Sequence, residues 1–105
     1  MALPPALTSD DRAAALAKAA EARRARAELK QLLKMGSISF REAVDRTAND
    51  EVIAKTKVLT VLESLPRLGK VKSRRLLEDI GIAESRRMQG LGQHQKAKLL
   101  AALEG

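Results

Sequence analysis

Cysteine, tryptophan and tyrosine are missing from this 105-residue chain, and Phe40 is its one aromatic residue. Without cysteine there is neither a disulfide framework nor a thiolate metal site, which fits a reducing compartment. Without aromatics, a core has to be built from Leu, Val, Ile and Ala, which suits packed helices better than a sheet. No run approaches the roughly twenty apolar residues of a membrane span. The opening "MALPPALTSDDRAAAL" has no basic leader followed by a continuous apolar core. The reading is a soluble, unexported, all-α protein with one modest core.

Acidic residues are also short: 13 Asp and Glu stand against 20 Lys and Arg, for a net charge of +7. Such a surplus on a small body attracts polyanions, of which nucleic acid is the commonest in a cell. The surplus lies at the two ends of the chain. Arg12 to Lys34 holds seven cations and two acids, Arg41 to Leu65 four and five, and Pro66 to Lys98 nine and three.

"LTSDDRAAALAKAAEARRARAELKQLLKMGS" predicts one long helix. Thr8 or Ser9 caps it, Asp10 and Asp11 complement its dipole, and Lys34 followed by Gly36 ends it. At about 100° per residue, Ala22, Ala25, Leu29, Leu32 and Leu33 share one side. Arg12, Arg23, Arg26, Lys30 and Lys34 line the flank beside it. This stripe is solvated charge that keeps an Ala-rich helix in solution, or a second polyanion surface that either touches the same ligand as the rest of the chain or bridges to another. A membrane-surface helix does not fit, because the apolar side is largely Ala and carries no Trp or Phe.

"SISFREAVDRTANDEVIAK" begins with a capping box, Ser39 with Glu42, and predicts a short helix to about Ala48 that buries Phe40, Ala43, Val44 and Ala48. Asn49 or Asp50 caps a second short piece with Val52 and Ile53. "TKVLTVLESL" then gives a helical apolar set that stops at Pro66, since the residue before proline resists the α conformation. Its β-branched content would also suit a strand, but no partner strand is visible.

A new helix starts at Gly69 or Lys70 and stops at Gly81. A rigid proline turn, a glycine and a fresh helix N-terminus together form an anion site, with Arg67, Lys70, Lys72 and Arg74 around it. In "ESRRMQGLGQHQKAKLL", Arg86 and Arg87 precede Gly90 and Gly92, and a last helix begins near Gly92 or Gln93. That is a second candidate phosphate clamp. Met88 and Leu91 read as packing groups, with an apolar wedge between base steps as the other reading. His94 has no second His or Cys for a metal site and reads as a surface or capping residue.

"LPRLGKVKSRRLLEDIGI" resembles the helix-hairpin-helix element, with Gly69 at its second glycine, Ser73 at its small residue and Arg67 where the first glycine stands. More widely, the N-terminal run, "KTKVLTVLESLPRLGKVK" and "SRRMQGLGQHQKAKLL" resemble, in order and spacing, the integration host factors of actinobacteria. The resemblance implies an N-terminal extension and long basic helix over residues 1–36 and a helix-two-turn-helix domain over residues 37–105. It further implies a nucleoid protein of the cytoplasm that binds duplex DNA with little sequence preference, bends or compacts it, and serves chromosome organisation, transcription regulation and phage integration; the lack of a long heptad seam points to a monomer. The implied contacts are Lys57, the hairpin residues Pro66, Arg67, Gly69, Lys70, Lys72, Ser73 and Arg74, and the second-turn residues Arg86, Arg87, Gln89, Gly90, Gly92 and Gln93. Gln89 replaces a third arginine of the family pattern. No cofactor, membrane or small-molecule substrate is implied beyond a monovalent cation shared by the hairpin carbonyls on DNA.

Similar domains occur in base-excision glycosylases, but no cysteine, exposed catalytic amine or paired-carboxylate set stands out here; Glu42, Asp45, Glu78 and Asp79 read as helix-surface charge. The alternatives are a structural RNA-binding protein like one of the ribosomal small subunit, and a basic module that docks an acidic protein.

Overall fold

A computed structural model describes residues 9–104; the Thr8 cap lies outside them. Six helices follow in order: α1 Ser9–Lys34, α2 Phe40–Arg46, α3 Glu51–Lys55, α4 Val58–Ser64, α5 Lys70–Ile80 and α6 Gln93–Glu104. A 3₁₀ turn, Met88–Gly90, precedes α6. The described residues form no strand; a single antiparallel bridge joins Lys57 to Arg87.

The helix ends follow local chemistry. Ser39 and Glu42 complete the capping box on α2, and the Asp50 carboxylate accepts from the Val52 and Ile53 N–H groups to start α3. The segment before Pro66 is helical, and Leu65 takes an extended conformation. α1 and α5 end the same way. Gly36 at φ 77 and Gly81 at φ 86 turn left-handed, and the next residue, Ser37 or Ile82, donates back to a carbonyl five positions earlier at 2.9 or 2.8 Å. A Cβ at either glycine would meet nothing within 4 Å, so backbone conformation and not space selects glycine there. Each reversal turns the chain inward, and Ile38 and Ile82 are both buried.

The core is aliphatic apart from Phe40 and Met88, with Leu33, Val58, Val61, Leu62, Leu77 and Leu99 fully enclosed. α1 packs on α3 and α4, α4 on α5, and α6 on α2 and α5. Two expectations shift. Ala48 is exposed because α2 stops at Arg46 and its apolar period ends there. On α1 only Leu29 and Leu33 are buried; Ala25 is half-buried, Leu32 is 39% exposed and Ala22 is exposed. The globular part meets the second half of α1 and leaves the first half clear, giving a molecule 56 × 29 × 26 Å.

An ion pair closes the far side. Arg41 on α2 donates to both Glu104 oxygens on α6, at 2.7 and 2.8 Å. This hydrogen bond, with the guanidinium charge, holds the Glu104 carboxyl below its ordinary pKa. A carboxylate shifted downward stabilises the fold above its unfolded-state value and loses that effect as pH falls through its folded-state value. Glu104→Gln should therefore lower the melting temperature slightly at neutral pH, with the gap to the parent closing as pH drops through the carboxylate range. Leu33→Ala removes the fully buried side chain that anchors α1, and should cost about 2–5 kcal/mol in denaturant unfolding.

Candidate nucleic-acid interface

α4 has a turn at each end. At its C-terminal end, Leu65 to Gly69 form the hairpin, closed by the Leu68 N–H on the Leu65 carbonyl at 3.2 Å. Gly69 is the N-cap of α5 and offers no side-chain cap, so the N–H groups of the first α5 turn have no intrahelical acceptor. Gly69 is extended and exposed, and a Cβ there would meet nothing within 4 Å. Its lack of a side chain keeps the helix end open to an approaching group. Pro66, Arg67, Lys70 and Lys72 are exposed, and these three cations have no ion-pair partner among the described residues. Val71 between the lysines is 77% exposed.

Two hairpin residues are otherwise engaged. Arg74 pairs with Glu84 at 3.0 Å across the Gly81 reversal. Ser73 is fully buried, and its hydroxyl has no partner. Its small size lets α5 pack closely, and its side chain does not face solvent.

At the N-terminal end of α4, the second turn is fastened by backbone. The Val58 N–H donates to the Arg86 carbonyl and the Met88 N–H to the Thr56 carbonyl, both at 2.9 Å. Lys57 and Arg87 thus face each other as the closely spaced kind of antiparallel pair, in which side chains approach most nearly. Met88 and Leu91 are buried at 1% and 7% exposure, so they pack and cannot act as wedges. Arg86, Arg87, Gln89, Gly90, Gly92 and Gln93 stay exposed. The Arg86 guanidinium donates to the Gly90 carbonyl at 3.1 Å, and a Cβ on Gly90 would lie 3.0 Å from its Cδ, so Gly90 leaves room for the folded-over arginine. Gly92 caps α6, and the Gln95 side chain accepts its N–H at 3.0 Å. His94 is exposed, and no group of residues suited to a metal occurs among the described residues.

The stripe on α1 is exposed along its length. Arg23, Arg26 and Lys30 share a cleft with Lys57 and Arg87, while Lys34 lines a neighbouring one with Lys70. Arg12 stands apart on the free half of the helix. Thr60 and Lys55, which the sequence did not single out, also line the first cleft. Lys55 is committed to Glu51 at 2.7 Å, a contact that holds the Glu51 carboxyl below its ordinary pKa. Their positions follow from a bridge between segments thirty residues apart, which leaves no mark in local periodicity. No helix among the described residues is long and apolar enough to cross a membrane.

Residues 33–103 match the family model described as S13-like H2TH domain. The chain is 52% identical over 99 residues to the integration host factor of Streptomyces coelicolor, covering 94% of this chain and 92% of that protein. To the integration host factor of Mycobacterium tuberculosis it is 50% identical over 100 residues, covering 95% and 94%. A solved structure of sIHF bound to an 8 bp palindromic DNA is similar at 47% identity and a TM-score of 0.77, over 81% of this chain and 96% of that one. With half-identity over nearly the whole length and a domain model that takes in everything beyond most of α1, the chain belongs to the actinobacterial integration host factor family of H2TH proteins.

Proposed function

We propose that this protein binds double-stranded DNA through its phosphates, without catalysis, and bends or compacts it as a nucleoid protein of the cytoplasm that serves chromosome organisation, transcription regulation and phage integration. The observation that carries this reading is the pair of exposed turns at the two ends of α4. Both present unpaired cations, and at the hairpin Gly69 keeps the start of α5 open. Seven helical residues span roughly 10 Å, a separation that suits phosphates on the two sides of a minor groove. The hairpin takes one and the second turn the other. The hairpin carbonyls would hold a monovalent cation when DNA is bound, and it would supply positive charge toward the phosphate. Contacts of this kind position a protein without reading bases. Residues 37–105 carry the binding, residues 1–36 extend it, and the protein acts as a monomer with no membrane or small-molecule partner. The solved relative bound to an 8 bp DNA supports duplex DNA as the ligand.

Retardation titrations with duplex, single-stranded and structured RNA ligands of equal length, at two salt concentrations, test this. Duplex DNA should win. If about six phosphates are neutralised, its affinity should fall roughly a thousandfold between 50 and 200 mM salt. Equal or tighter binding of structured RNA would favour a structural RNA-binding role instead. Replacing Arg86 and Arg87 together by Ala should weaken binding to all sequences alike. Arg87→Ala alone, which spares the Arg86 contact with Gly90, should lower the salt slope by about 0.9. Loss confined to one sequence would contradict phosphate recognition.

A further inference from the structure

The bridge that sets Lys57 opposite Arg87 places two like charges side by side, an arrangement that costs stability in a cross-strand pair. Thr60 stands one turn further along α4, and across an open cleft of about 460 Å³ α1 presents Arg23, Arg26 and Lys30. Lys55 at the cleft edge is neutralised by Glu51; the other five cations have no ion-pair partner among the described residues. A second cleft of about 380 Å³ shares Ala27, Lys30 and Thr60 with the first and runs on to Lys34 and Lys70 of the hairpin. The two form one trough between α1 and α4, with cations on both walls. Glu63 is the one acid lining either cleft.

Shape and chemistry limit the occupant. From Arg23 to Lys34 the cationic wall rises roughly 17 Å, about the rise of five phosphates along one strand of a duplex. The trough has no aromatic lining, and Phe40, the chain's single aromatic, is buried elsewhere, so an unpaired strand would find no stacking platform. A row of charges with hydroxyls and without stacking surface matches a phosphodiester backbone whose bases are paired.

We infer that α1 is the second wall of the DNA interface: Arg23, Arg26 and Lys30 grip the same phosphodiester strand as Lys57 and Arg87, in the duplex that the two turns hold. This rests on the duplex-binding reading above. The first helix is then no surface for a separate duplex. It closes over the strand between the second turn and the hairpin.

The test uses the full chain in excess over a trace fluorescent duplex, so that no protein carries two duplexes. Arg23/Arg26/Lys30→Gln should bind that duplex more weakly, with a salt slope reduced by up to about 2.7, and Arg26→Gln alone by about 0.9. Combined with Lys57/Arg87→Gln, the losses should fall short of additive, as expected for groups that share one strand. All five positions are exposed, so no variant should melt below the parent, and Lys57/Arg87→Gln should melt slightly above it as the like-charge pair is removed. The inference is overturned if the triple variant keeps single-duplex affinity and slope and loses only energy transfer between two differently labelled duplexes. A parent that binds no duplex, or binds without salt dependence, would instead remove the reading beneath it.

Discussion

Two backbone hydrogen bonds, from Val58 to Arg86 and from Met88 to Thr56, hold this protein's charge where a ligand can use it. They join segments thirty residues apart and set Lys57 against Arg87. Two unit charges about 4 Å apart repel by roughly 1 kcal/mol in water, less with salt. Two hydrogen bonds contribute about 1 kcal/mol each, and burying a side chain such as Met88 about 1.5–3 kcal/mol. The turn therefore stays formed despite the repulsion. A bound phosphate would convert that repulsion into attraction without any rearrangement of the chain.

The same logic fixes the other wall. α1 would be a free rod but for the reversal at Gly36, which turns the chain inward to Ile38, and for Leu29 and Leu33, which enter the core from the last turns of the helix. Only a helix anchored at one end can both hold its basic flank beside α4 and leave its first turns outside the body. Stiffness comes from the helical hydrogen bonds, and direction from two leucines and a left-handed glycine.

Much of this was legible in the sequence, because helix termini are local events. Ser39 with Glu42, the break at Pro66, and Gly36 and Gly81 each act within a few residues and fold as read. Burial was less legible. The apolar period placed Ala22 and Leu32 on the docked side of α1, yet what covers a helix is decided by where its neighbours end. The candidate site was visible as a list of residues and not as an arrangement. Lys57 carried no local signal and came only through family resemblance. The Glu84 partner of Arg74 lies beyond a chain reversal, and the cleft that gathers Arg23, Arg26 and Lys30 with Arg87 depends on the bridge.

Ion pairing then sorts the cations into two groups. Among the described residues, the pairs are Arg41 with Glu104, Arg46 with Glu42, Lys55 with Glu51 and Arg74 with Glu84. Three of those four cations lie away from the trough, and the fourth sits at its edge. The cations that line it otherwise, from Arg23 to Arg87, are left without carboxylates. Exposed pairs contribute little to stability, so their placement has small consequence for folding. Its consequence is electrostatic: seven cations without a carboxylate partner among the described residues share one concave strip, while Arg67, Lys72 and Arg86 stay unpaired on the turns beside it. The field of such a strip sums over its cations, so it acts on a polyanion more strongly than any one of them would.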